Sequence, residues 1–192
     1  MNEKKTNALY PMVFVGMMAA LIFVATYFIR IEIPTPTGPT NLKVGNILCL
    51  LGGMLFGGLY GGLAAGIGSV FFDLLNPAYV SSAPFTLVFF FIMGAVCGTI
   101  SHMNGKKGLD TKLNIVAAVS GAMSYWLLYI GKSVIVLILA GSAFGPALVA
   151  TVPKMITSGV NVITASVFSV LLAKPMHSAL EKIGVFKKMN IK

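Results

Sequence analysis

The sequence predicts an all-α integral membrane protein with six transmembrane helices and both termini in the cytoplasm. Three observations lead there. Composition comes first: 57% of the residues are hydrophobic and only 10% are charged, where a soluble domain carries about a quarter charged. Mean hydropathy is +0.90. Length is second. A chain of 192 residues holds about six spans of roughly 20 residues with short loops, so residues 1–192 read as a single membrane domain. Third is the placement of charge. Ten lysines fall in the N-terminus, the 102–112 loop and the C-terminal tail, against Arg30, Lys43, Lys132 and Lys154 elsewhere. The positive-inside rule puts the lysine-rich side in the cytoplasm, and an even number of spans gives the same sidedness.

The spans are expected at about 10–29, 43–57, 62–75, 85–101, 113–140 and 148–173. The first lacks a small-residue cleavage site and reaches spanning length, so it reads as a true span rather than a signal peptide. The loop after it, IEIPTPTGPTN (31–41), carries three prolines and a glycine, which makes it non-helical and rigid. The second and third spans form a close pair. Gly53, Gly57 and Gly61 stand four apart, as do Gly58, Gly62 and Gly66, and such spacing lets helix backbones approach closely in lipid. The turn falls at Gly57–Gly62. A re-entrant hairpin is the alternative and leaves the downstream sidedness unchanged. NPAYVSSAP (76–84) is a second loop. The most polar loop, 102–112, sets Lys106, Lys107 and Lys112 against Asp110. GSAFGP (141–146) breaks the chain between the last two spans, and Lys174 with Pro175 is expected to end the sixth.

Several function classes are excluded by what the sequence lacks. The net charge of +9 reflects lysines flanking apolar spans, not a nucleic-acid surface. There is no phosphate-binding Gly-rich loop followed by Lys-Ser/Thr, hence no ATPase in this chain. Cys49 and Cys97 lie inside apolar runs without metal or disulfide spacing and read as small buried hydrophobes. His102 and His177 are expected to be solvated on the cytoplasmic side. No metal or cofactor is expected, and no paired carboxylates or activated nucleophile supports an enzyme.

The costly residues are all on one side. Arg30 ends the first span, Lys43 and Asn46 open the second, and Asp73 closes the third. Lys132 and Lys154 lie in the outer halves of the fifth and sixth. Charge at membrane depth is expensive and marks function, so this distribution predicts an outward-facing polar cavity. Tyr125, Tyr129 and Lys132 stand at i, i+4 and i+7 and share one helix face, with Trp126 beside them. Lys154, Ser158 and Asn161 repeat that spacing. With Tyr79 in the 76–84 loop, these residues form the candidate substrate-binding set: aromatic groups for a planar ligand, lysines for a carboxylate or phosphate. Other readings stand beside this one. Tyr and Trp near span ends also form interfacial belts. Lys154, and less readily the deeper Lys132, could snorkel. Asp73 could form a structural ion pair with Lys43 or Arg30, and Asn161 an inter-helix hydrogen bond.

Several segments together resemble a known family. VGMMAALIFVATYF (15–28) is similar to the Met-x-Ala-Ala-Leu opening of the substrate-binding S components of energy-coupling factor (ECF) vitamin transporters. Lys43–Leu75, APFTLVFFFIMGAVCG (83–98) and VPKMITSGVN (152–161) resemble the second to fourth and the sixth spans of the riboflavin and pantothenate type. The resemblance covers nearly the whole chain through loose motifs. It implies a non-enzymatic, high-affinity binding subunit in a bacterial plasma membrane, which captures a vitamin outside and works with a transmembrane coupling subunit and two ATP-binding subunits. It also implies that the first span docks on the coupling subunit through a small-residue pair, here Gly16 and Ala20 with Ala19 alongside. The glycine departs from the family's alanine. The loop 31–41 would act as a lid. Two other readings remain: a stand-alone secondary carrier or channel for a small anionic metabolite, and a small membrane enzyme. Pantothenate, riboflavin, pyridoxine and a pyrimidine precursor are all compatible with the residues as substrate.

Overall fold

The computed structural model describes residues 3–186, with side chains from Tyr10 onward. Lys187, Lys188 and Lys192 of the lysine-rich tail lie outside the described residues. Five helices are long and apolar enough to cross a membrane: α1 (Glu3–Phe28), α2 (Gly45–Leu74), α3 (Ala83–Ser101), α4 (Thr111–Leu139) and α5 (Phe144–Lys182).

The second and third expected spans are the two arms of α2. Gly57 breaks the helix at φ +81, ψ −179, a region essentially reserved for glycine. The arms fold back on each other, and Cys49 Sγ comes within 3.8 Å of Ser69 Oγ. Glycines make the close approach possible. A Cβ on Gly61 would overlap the Gly53 backbone, and one on Gly53 would lie 2.7 Å from the Gly94 carbonyl oxygen of α3. α4 reaches this core through Ala117, Ala118 and Ala122, all fully buried, around Leu50, Met54, Met93 and Cys97. Cys97 donates to the Leu50 carbonyl at 3.4 Å, which agrees with its reading as a buried small residue.

Two expectations need correction, and one gains detail. The loop 31–41 is non-helical, as expected, and its ends are paired: the chain forms an antiparallel ribbon of β1 (Arg30–Ile33) and β2 (Thr40–Lys43), paired Arg30↔Lys43 to Ile33↔Thr40. The three prolines sit in the connecting turn, where no ladder donor is needed. α5 starts earlier than expected and does not stop at Lys174–Pro175; both Pro153 and Pro175 lie inside it. At 1.5 Å per residue it is about 58 Å long, well beyond a hydrocarbon core of roughly 30 Å. The two histidines are not solvated. His177 is buried and stacks on Phe186 at 4.3 Å, because the chain after α5 turns back and buries Val185 in the core. His102 is half-buried, with Nδ1 against the Gly98 carbonyl at 3.0 Å. Burial holds its pKa below the usual histidine value. In the polar loop Lys106 approaches Asp110 at 3.6 Å, and Asp110 caps α4 by accepting from the Lys112 and Leu113 amides at 3.0 and 3.4 Å.

Candidate functional site

A cavity of about 450 Å³ opens where the β ribbon, the end of α2 and the facing ends of α3, α4 and α5 meet. Nine of the eleven sequence-predicted residues line it: Lys43, Asp73, Tyr79, Tyr125, Tyr129, Lys132, Lys154, Ser158 and Asn161. Trp126 does not. Its Nε1 donates to the Met155 carbonyl at 3.2 Å, tying α4 to α5. Asn46 lies buried near the start of α2 and also stays outside the lining.

One wall is aromatic. Tyr125 and Tyr129, one turn apart on α4, lie nearly parallel at 5.7 Å and 10°, and Phe90 of α3 meets Tyr125 at 4.4 Å. Phe72 and Tyr79 pair at 5.6 Å across the end of α2. Burial raises the Tyr79 phenol well above its usual pKa, so it stays neutral. Such a wall offers ring faces to a planar ligand.

Lys43 is half-buried at the cavity wall, with its ammonium 4.5 Å from the Phe90 ring and 5.8 Å from that of Phe72. Burial lowers its pKa, and the Asp73 charge partly offsets this. Asp73 accepts a hydrogen bond from Thr86 Oγ1. No ion pair among the described residues includes Asp73; Arg30 instead approaches Glu32 at 4.0 Å and sits 4.6 Å over Phe72. Lys132 Nζ donates to Ser82 Oγ at 2.7 Å, and Lys154 Nζ to the Thr37 carbonyl at 2.6 Å.

The ribbon lines the cavity from Thr37 to Asn41 and is tied down at several points. Asn161 satisfies both ends of its amide on β2: Oδ1 accepts from the Lys43 amide at 3.1 Å, and Nδ2 donates to the Asn41 carbonyl at 2.7 Å. Tyr129 Oη donates to Thr40 Oγ1 at 3.3 Å. Ser158 gives its hydroxyl proton to the Lys154 carbonyl of its own helix, which leaves it an acceptor towards the cavity.

Sequence reasoning missed the contribution of α3. Phe85, Thr86, Phe89 and Phe90 all line the cavity. Their i, i+1, i+4, i+5 spacing, with one hydroxyl among three rings, was the available signal. The predicted docking residues divide by face: Gly16 and Ala20 point outward, while Ala19 is buried and its carbonyl sits where a Gly68 Cβ would fall.

No curated protein matches the chain. The family model described as ECF-type riboflavin transporter, S component, matches residues 6–178. The chain belongs to the ECF-type riboflavin transporter S component family.

Proposed function

We propose that this subunit captures a water-soluble vitamin with a planar heteroaromatic ring, of the class to which riboflavin belongs. The observation that carries the reading is the parallel Tyr125–Tyr129 pair facing Phe90 inside the 450 Å³ cavity. A ring stacked there is shielded by the β ribbon, and hydroxyl and amide groups are left for its substituents. As a member of its family the protein is a substrate-binding subunit of an ECF transporter. In this reading the two arms of α2 each cross the bilayer, six crossings leave both termini in the cytoplasm of a bacterial cell, and the cavity faces outward. The outward strip of Gly16 and Ala20 receives the coupling subunit, which recruits two ATP-binding subunits.

The test is binding and transport with the same purified protein. In detergent, without partners, it should retain a planar vitamin through purification, identifiable by mass spectrometry. In proteoliposomes it should accumulate that compound only with the coupling and ATP-binding subunits present. Comparable uptake by the protein alone would establish the stand-alone carrier instead.

A further inference from the structure

The cavity carries more positive charge than its own acids balance. Its charged lining groups are three lysines, Lys43, Lys132 and Lys154, and one carboxylate, Asp73. None of the three lysines belongs to an ion pair among the described residues. Each is instead held by neutral groups. Lys132 donates to a serine hydroxyl and also lies 4.9 Å from the Phe85 ring. Lys154 donates to the Thr37 backbone carbonyl. Lys43 rests against the rings of Phe90 and Phe72. An ammonium has three donors, so one hydrogen bond leaves two on Lys132 and two on Lys154.

Position separates these charges. Lys43 and Asp73 sit at the end of the cavity formed by β2 and α2. Lys132 and Lys154 project from the two facing helices α4 and α5, and both are tied to loops that border the opening: Ser82 before α3 and Thr37 in the ribbon turn. Asp73 is the one acid of the lining and its carboxylate already accepts from Thr86. Asp73 also stands within electrostatic reach of Lys132, so one carboxylate faces three ammoniums and the lining keeps an excess of positive charge, with spare donors on Lys132 and Lys154. Two like charges in a partly buried site are costly unless an opposite charge joins them.

We propose that the substrate is an anion: its planar ring stacks along Tyr125 and Tyr129, and a carboxylate or phosphate on it sits between Lys132 and Lys154 beneath the ribbon turn. The inference rests on the proposed binding of a small vitamin in this cavity, but not on the ring. Charge-assisted bonds from two ammoniums supply the selectivity for the anion. A neutral compound with the same ring would leave both cations unpaired.

Two matched pairs of probes test the charge apart from the ring. The first is riboflavin 5′-phosphate against riboflavin, and the second is pantothenate against pantothenol. Binding to the purified wild-type protein is measured by calorimetry in detergent. The expected result is at least about tenfold tighter binding of the anionic member, a difference of roughly 1.4 kcal/mol. Lys132→Gln and Lys154→Gln should each shrink that preference, and Lys154→Arg should keep it. Preference in the pantothenate pair alone would uphold the anion site and overturn the planar-ring reading. Equal or weaker binding of the anionic member in both pairs, or no binding by any of the four, would overturn the anion site. A preference untouched by either glutamine variant would overturn its placement.

Discussion

The glycines where α2, α3 and the middle of α4 meet and those flanking the α4–α5 loop occupy opposite environments; an added Cβ on Gly121 of α4 would lie 2.8 Å from the Met93 carbonyl oxygen. Added Cβ atoms on Gly53, Gly58, Gly61, Gly62, Gly94 and Gly98 would all come closer than 3.0 Å to neighbouring atoms, in most cases backbone. Gly131 in α4 and Gly145 at the start of α5 have nothing within 4 Å of theirs. One half of the molecule, the α2 hairpin with α3 and the Gly121 stretch of α4, is therefore packed to backbone contact, and the half towards the α4–α5 loop is not. The packed half fixes where the α2 and α3 ends lie, and so holds Lys43, Asp73 and Phe90 in place. All four helices α2 to α5 send side chains into the cavity.

The contrast can be broken most severely at Gly61. Gly61→Ala should cost about 3 kcal/mol by overpacking and sharply lower the midpoint of thermal unfolding in detergent. Gly131→Ala should be neutral or stabilise by up to about 1 kcal/mol through helix propensity. Equal effects of the two would end the distinction between the halves.

The next effect concerns charge held by the packed half. Removing Lys43 and Asp73 together, as Lys43→Met with Asp73→Asn, should stabilise the free protein at pH 7 by relieving the burial of two charges, while weakening ligand binding. Its pH dependence has a defined sign. Burial depresses the Lys43 pKa, so the unfolded chain binds this proton more tightly. Wild-type stability therefore rises with pH between the folded value and the ordinary lysine value of about 10.4. The advantage of the double variant should shrink across that window. A gap that stays constant between pH 7 and pH 10 would contradict the assignment.

Asn161→Leu comes third. It removes both bonds to β2 and leaves buried backbone groups unpaired, at about 1–3 kcal/mol. Hydrogen exchange at the Lys43 amide should accelerate, with far less change at Leu50 in the core. The smallest effect in binding is expected on the aromatic wall. Tyr125→Leu should weaken a planar ligand by about 0.5–1.5 kcal/mol, roughly three- to tenfold by titration, and leave pantothenate unaffected.

Much of this arrangement was legible in the sequence because it depends on helical period and on the cost of charge in lipid. Tyr125, Tyr129 and Lys132 share a face by spacing alone, and so do Lys154, Ser158 and Asn161. The glycine repeat identified the hairpin of α2, though not that Gly57 would carry the whole reversal. Trp126 shows the limit: its neighbour Tyr125 lines the cavity, but its own ring lies a further 100° round the helix and bonds to Met155. The β ribbon was hidden because its strands are only four residues each and flank a proline-rich turn that dominates local composition. The continuation of α5 past Pro175 depends on Val185 and Phe186 packing back on the core, a tertiary effect that local helix signals do not carry.

The ribbon is fastened to α4 and α5 at three residues: Lys154 to Thr37, Tyr129 to Thr40, and Asn161 to the β2 backbone. Fastenings in parallel act on time rather than on strength alone. The ribbon lifts only when all three are open at once, so their probabilities multiply. At about 1 kcal/mol each, every tie makes opening roughly fivefold rarer, and the three together on the order of a hundredfold. In the proposed function, the dwell time of a captured molecule would thus be set by the ribbon as much as by the contacts made inside. A partner that strained any one helix would shorten that time without touching the ligand.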